Sequence, residues 1–361
     1  MTTISVALTT YNGERFLQQQ LDSIVAQTRR PDELVVSDDQ STDKTWAILT
    51  HFAKTAPFPV RLNRNDARLG FRANFMRALS MCSFDLLVLC DQDDVWHPDK
   101  LAAAAAAMEQ PDVLLFFHNA WLIDPTGARI GPADIFELPA ANNPPLTLHA
   151  FFSPFGFTMA CSRSLLQFSD LWERSTDPID RNFRAPHDQW LFFLAAVFGT
   201  VVYSDQRLTD YRRHGNNVSL AHALRLRGMG LLPRVRTEWL YWLTKPQDRF
   251  RMLATVARDR AMILAESQGR LNGVWRDRAI AGEHRCLQLA SRFDGRAELY
   301  DCGSLTSRIG RLIALYRQGT YDGSCWGFKP SALVKDAVLG VLLRPFLLQP
   351  FVDHGAARPV L

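Results

Sequence analysis

The chain has 361 residues, of which 47% are hydrophobic, and carries a formal net charge of +4. That content excludes a disordered or fibrous chain and suffices for one large α/β domain with a smaller appendage. The charge is uneven: residues 1–206 hold 16 Lys+Arg against 24 Asp+Glu, and residues 207–361 hold 25 against 13. A split of this size predicts that the two parts face different partners. The six cysteines are scattered with no Cys-x-x-Cys pair, which argues against a disulfide framework or a zinc site and for a reducing compartment. The N-terminus runs straight into a strand-like segment, with no basic and apolar stretch of a secretory signal, so a cytoplasmic location is expected.

In chain order, residues 4–9 read as a strand and 14–27 as a helix with Phe16, Leu17, Leu21, Ile24 and Val25 at helical spacing. Strands follow at 33–37, 60–63, 86–90 and 113–117. Helices are predicted at 43–54 and 71–82, and Pro98 opens another through the alanine run 102–107. This alternation implies a mostly parallel sheet covered on both faces. Residues 124–143, broken by Gly, Pro and Asn, read as a loop or short hairpin, and 156–160 as a strand edge. From about residue 220 strand signals fade, and Arg-studded amphipathic helices are expected at 225–236, 254–268, 276–293 and 307–317. The expected division is an α/β domain over 1–220 and a basic helical region over 221–361.

Two acidic clusters follow strands, where ligands bind in open α/β sheets. The first is Ser37-Asp38-Asp39-Gln40-Ser41-Thr42-Asp43 and the second Asp91-Gln92-Asp93-Asp94. Three carboxylates within four residues repel unless a cation or proton compensates. Mg²⁺ or Mn²⁺, which take carboxylate and phosphate oxygens, would do so. The alternative is a solvated acidic turn with Asp94 or Asp99 capping the next helix. In the first cluster Asp43 reads as a helix cap, and Asp39 as an acceptor for a base or ribose.

With the ordered segments 6–13, 37–43, 69–75, 91–96, 187–190 and 211–219, the chain resembles family 2 glycosyltransferases with a GT-A fold, and among them bacterial rhamnosyltransferases of surface-polysaccharide assembly. The resemblance spans roughly residues 3–220. It implies a GT-A-like nucleotide-sugar-binding domain. In it Thr9, Tyr11 and Asp39 hold a pyrimidine base, Asp91 contacts the ribose or a metal-bound water, and Asp93 ligates a metal bridging the diphosphate. Asp188 is then the base that deprotonates the acceptor hydroxyl, and His214 a further metal or phosphate contact. Phe155, Thr158 and Trp190 are the implied acceptor contacts. His187 and Asp188 read alternatively as a helix start, His214 as a turn residue, and Trp96 and Trp190 as core rather than sugar platforms.

The expected reaction is inverting transfer of a single sugar, rhamnose among the candidates, from a UDP- or dTDP-sugar to a glycan or lipid-linked glycan hydroxyl. One carboxylate base suffices for it. The Gln-x-x-Arg-Trp motif of processive relatives is absent. A nucleotidyltransferase is the second reading, disfavoured by the lack of a Gly-rich phosphate loop near the first strand. A non-catalytic scaffold is the third, and would need none of Asp39, Asp93 and Asp188 together. Residues 337–352 are apolar but interrupted by Arg344, Pro345 and Pro350, short of the ~20 residues of a helical span. They read either as an interfacial membrane contact or as part of an ordinary helical subdomain. No nucleic-acid module is recognisable, and an acidic first domain opposes that partner.

Overall fold

The computed structural model describes residues 2–133, 141–149, 151–214, 246–323 and 328–342. The chain forms two compact units. The first comprises Met1–Asp177, Asn182–Asn216 and Leu271–Ala279; the second comprises Pro178–Arg181, Asn217–Arg270 and Ile280–Leu361.

The first unit is built on a mixed sheet. Strands β1 (Ile4–Thr10), β2 (Glu33–Asp38), β3 (Val60–Arg64) and β4 (Leu86–Cys90) alternate with helices α1 (Leu17–Val25), α2 (Thr45–Thr55) and α3 (Phe71–Met81). These four strands pair in parallel, in the order β3-β2-β1-β4. Every residue of β1, β2 and β4 is buried, as strands covered on both faces require. Leu17, Leu21 and Ile24 of α1 share one face and pack with Val6, Leu8, Leu34 and Val88 in the core. Because β1 lies between β2 and β4, the chain leaves it in opposite directions, which opens a crevice at the carboxyl ends of these strands.

The other half of the sheet departs from parallel order. After β5 (Val95–Trp96) and α4 (Lys100–Met108) come β6 (Val113–Ile123), β7 (Arg129–Ala133), β8 (Ala141–Asn143), β9 (Met159–Ser162), α5 (His187–Phe198) and β10 (Thr200–Arg212). The hairpin expected within 124–143 is the β6–β7 pair. The stretch 156–160 is not a sheet edge. Gly156–Thr158 is a 3₁₀ turn, and β9 then runs antiparallel between β4 and β6. Its short apolar run is buried on both sides, so it fits an interior position. Two elements were not legible in the sequence. Helix α5 is apolar nearly all round, with ten buried residues, and shows no amphipathic period. Strand β10 pairs with β6 through register shifts between Ser204 and Thr209, which break its alternation.

The second unit is helical: α6 (Pro246–Ser267), α7 (Gly273–Asp301, whose first turns belong to the first unit), α8 (Leu305–Arg317) and α9 (Pro330–Lys335), which runs into a π-helical turn over Asp336–Leu342. The helices expected at 254–268, 276–293 and 307–317 fall on α6, α7 and α8. The one at 225–236 lies outside the described residues, as does 343–352 of the apolar tail. The centre of this unit is ionic. Arg296 meets both oxygens of buried Asp336, at 2.6 and 2.9 Å, between the rings of Phe250 and Phe328. Tyr300 and Tyr321 donate their hydroxyls to the same carboxylate. A buried pair this fully hydrogen-bonded offsets its desolvation. Among the described residues no helix is long and apolar enough to cross a membrane.

Candidate active site

The loop after β1 is stapled to the loop after β2. Thr10 Oγ1 donates to Asp38 Oδ1 at 2.8 Å, and Thr10 O accepts from Asp39 N. Asn12 takes a left-handed backbone (φ 48°), which Asn tolerates. Its amide oxygen accepts the Thr42 N–H, and its own N–H donates to Ser41 Oγ. Thr9 is buried on β1, while the Tyr11 ring is partly exposed beneath the Arg68 guanidinium, 3.9 Å from the ring centroid. Arg68 carried no signal in the sequence.

Asp39 is buried, and both its oxygens are engaged by the chain. Oδ1 accepts from Asn65 Nδ2 at 3.1 Å and Leu69 N at 2.7 Å, and Oδ2 from Gly70 N at 2.8 Å. Gly70 has φ 78°, a conformation that favours glycine. Asp39 therefore fixes the 65–70 loop, and with it Arg68 over Tyr11.

The second cluster divides its labour. Gln92 bonds the Tyr11 backbone twice, accepting its N–H and donating to its carbonyl, each at 2.9 Å. Asp93 Oδ2 lies 2.8 Å from His214 Nε2. Asp94 is fully buried. Its Oδ1 accepts the Arg212 N–H, and its Oδ2 has no hydrogen-bond partner. Burial, then the charges of Asp93 and Asp91, pushes the Asp94 carboxyl well above the usual range. Asp91 is pushed up to about 7 by burial, then by Asp93 and Asp188. Beneath the cluster lies Lys100, buried, with Nζ donating to Phe157 O at 2.6 Å and Thr209 Oγ1 at 3.0 Å, 4.0 Å from the centre of the Trp96 ring. Burial pulls Lys100 down to about 8, while Cys90, Asp94 and Asp91 pull it up. The acidic run thus faces a buried amine within the fold, on which the charges of Asp91 and Asp94 act. Arg212 closes the cluster, donating to Asp93 O and Gln19 Oε1 with its guanidinium over Phe16.

Asp188 stands in the first turn of α5, after Pro186. Its Oδ1 accepts the Gln189 N–H at 2.8 Å. Burial pushes its carboxyl up to about 6, against backbone hydrogen bonds from Gln189 and Gly156 and the charge of Arg72. His187 is buried and stacked on Phe75 with centroids 3.9 Å apart, and neither ring nitrogen has a hydrogen-bond partner. Burial and Arg72 hold it down at about 3, so the imidazole is neutral. A Cβ on Gly156 would come within 2.8 Å of His187 Nε2, so glycine there permits the turn to approach α5.

The structure thus brings Asp91 within electrostatic reach of Asp93 and Asp188, and pairs Asp93 with His214. Of the expected acceptor contacts, Phe155 is half-buried, whereas Thr158 is fully buried with its hydroxyl on Phe155 O, and Trp190 is 2% exposed in the core. Trp96 is likewise core. Among the described residues no group of three or more His, Cys, Asp or Glu could by itself hold a metal ion.

Residues 5–170 match the family model described as Glycosyl transferase family 2. An uncharacterised protein of Mycobacterium tuberculosis is 28% identical over 221 residues, covering 60% of each chain; the chain thus spans about 60% of that relative's length. The dTDP-rhamnosyl transferase RfbG of Shigella flexneri is 25% identical over 244 residues, which are 64% of this chain and 80% of RfbG. The solved structure of TarS residues 1–349 from S. aureus in complex with UDP aligns over 88% of this chain and 92% of TarS, with a TM-score of 0.50 at 16% identity. That likeness concerns the fold, a GT-A-like α/β architecture.

Proposed function

Because the chain belongs to glycosyl transferase family 2 through residues 5–170, we propose that it moves one sugar, with inversion, from a UDP- or dTDP-linked donor to a hydroxyl of a glycan or lipid-linked glycan during surface-polysaccharide synthesis. The observation that carries the reading is the convergence of Asp91 and Asp188. Asp91 directly follows strand β4 and Asp188 stands in helix α5, far apart in sequence, yet the charge of Asp188 helps to raise the Asp91 carboxyl. Beside them stands the Asp93–His214 pair. A thymidine donor and rhamnose are favoured by the name of RfbG, and a uridine donor by the TarS complexes with UDP and UDP-GlcNAc.

Asp188 is the base. A carboxyl raised to about 6 is largely ionised at neutral pH and yet a better proton acceptor than an ordinary aspartate. Its orientation is held by the Gln189 N–H, and neutral His187 beside it adds no competing charge. Tyr11, held by Gln92 and faced by Arg68, forms one wall for the base. Thr9 and Asp39 act behind it, Asp39 by fixing the loop that carries Arg68. Asp91 faces the ribose.

Asp93 and His214 would hold Mg²⁺ or Mn²⁺. The Asp93 carboxylate of this partly exposed pair suits either cation, and the His214 imidazole would add a nitrogen contact that Mn²⁺ accepts more readily than Mg²⁺. When bound, the cation neutralises the leaving diphosphate as a Lewis acid.

The test is thermal stabilisation by UDP, dTDP, GDP and ADP, each with Mn²⁺ and with EDTA, followed by release of nucleoside diphosphate from the matching sugar nucleotides. A nucleotide at about 100 times its dissociation constant stabilises by about 2.7 kcal/mol. A Mn²⁺-dependent shift with UDP or dTDP is expected. No shift with any nucleotide in a folded sample overturns the reading.

A further inference from the structure

Helix α8 in the second unit carries a line of apolar side chains that its own unit leaves open. Leu305, Ile309, Ile313 and Tyr316 follow at intervals of four, four and three residues, so they share one face. They are between 44 and 62% exposed. The helix packs inward along a neighbouring line through Arg308 and Leu315, both buried. Its apolar surface therefore continues past the packed line onto the open side. The helix begins where the stripe begins, because Ser304 Oγ caps it by accepting the Ser307 N–H at 3.1 Å. The π-helical turn Asp336–Leu342 packs along α8 and ends in another exposed apolar residue, Leu342.

Charge selects the occupant. The ionisable side chains of Leu305–Arg317, apart from Tyr316, are Arg308, Arg311 and Arg317, with no acid among them. Arg311 pairs with Glu298, and Arg317 stands exposed in the last turn. A second copy would set like charge against like, whereas an acidic lipid surface presents the opposite charge. A basic helix with an exposed apolar stripe is the form that lies in the headgroup boundary. We propose that the Leu305–Ile309–Ile313–Tyr316 face of α8 seats in the surface of an anionic phospholipid bilayer. The inference rests on the transferase reading only for the purpose of that contact, which is to bring the enzyme to a lipid-linked acceptor.

The full-length chain is sedimented with vesicles of phosphatidylcholine, with and without phosphatidylglycerol, at low and high salt. The comparison is the double variant Ile309→Gln/Ile313→Gln, whose positions are exposed, so its thermal midpoint should match that of the wild type. Wild-type protein should bind the phosphatidylglycerol vesicles and release them in salt. The variant should bind about tenfold more weakly or less, since each change removes apolar groups from the boundary. Equal binding by the variant, or no binding by the wild type, overturns the proposal. A variant that binds vesicles equally but changes oligomeric size assigns the stripe to contact between copies instead. Nucleotide-induced stabilisation is measured on the same samples without lipid, so failure of the transferase reading leaves the vesicle result standing, and the reverse.

Discussion

The side-chain amide of Gln92 bonds both the N–H and the carbonyl of Tyr11, each at 2.9 Å. The second acidic loop thereby holds the loop after β1 as a neighbouring strand would. Gly13 makes room for this, because a Cβ there would fall 2.2 Å from Gln92 Oε1. Gly13→Ala should push Gln92 away and loosen Tyr11. Donor nucleotide binding, measured by calorimetry, should weaken by about tenfold, with a stability loss of about 1–3 kcal/mol from overpacking.

Asp39 presents a different case. Asn in its place keeps the size but sets an NH₂ group either against Gly70 N or against both Leu69 N and Asn65 Nδ2, all of them donors. Asp39→Asn should cost about 1–3 kcal/mol of stability, read as a lowered urea midpoint, and weaken nucleotide binding through the displaced 65–70 loop. Unchanged stability with lost binding would instead mean that the carboxylate meets the base directly.

These two residues show where the sequence was legible and where it was not. The strand–helix alternation of residues 4–108 is written in local periodicity, and the carboxylates at the ends of β2 and β4 were found because topology dictates where strands open. What each carboxylate does was not legible. Asp38, Asp39 and Asp94 have the same chemistry as Asp91 and Asp93, and only their partners separate them. Lys100 reads as the first charged residue of an alanine-rich helix, and nothing nearby in sequence announces that its ammonium reaches Phe157 O. Helix α5 and strand β10 were missed for opposite reasons, one apolar on every face, the other interrupted by bulges.

Lys100→Met tests the internal compensation. It removes the ammonium that faces Asp91 and Asp94 and leaves Phe157 O without its donor. Breaking a buried charge arrangement on one side costs about 3 kcal/mol, to be read in chemical denaturation. If Met were neutral here, Lys100 would be packing rather than counter-charge.

His214→Ala should separate metal use from nucleotide use. The imidazole is the partner of Asp93 Oδ2. Its loss removes one of the two side chains proposed to hold the cation and should raise the Mn²⁺ concentration for half-maximal turnover by at least about tenfold, the lower end of what losing a supporting partner costs. Nucleotide affinity at saturating Mn²⁺ should change little.

Asp188 makes the sharpest prediction because its charge serves activity and burdens the fold. Its carboxyl is raised by burial from 3.8 to about 6. As a base it works ionised, so kcat/KM should climb about tenfold per pH unit below 6 and level off above it. For stability the sign is the opposite. Between pH 4 and 6 the folded state holds this proton more tightly than the unfolded state, so the contribution of Asp188 to stability falls as pH rises through that window. Above about 6 the full cost of the buried charge is in place. Asp188→Asn keeps an acceptor for the Gln189 N–H and removes the charge. It should lower turnover by about 10²- to 10⁴-fold while raising the thermal midpoint by about 2 °C or more at pH 7.5. The gap between variant and wild type should close as pH falls toward 4. A variant that loses turnover and stability together at pH 7.5 would make Asp188 a structural cap of α5 rather than a strained base.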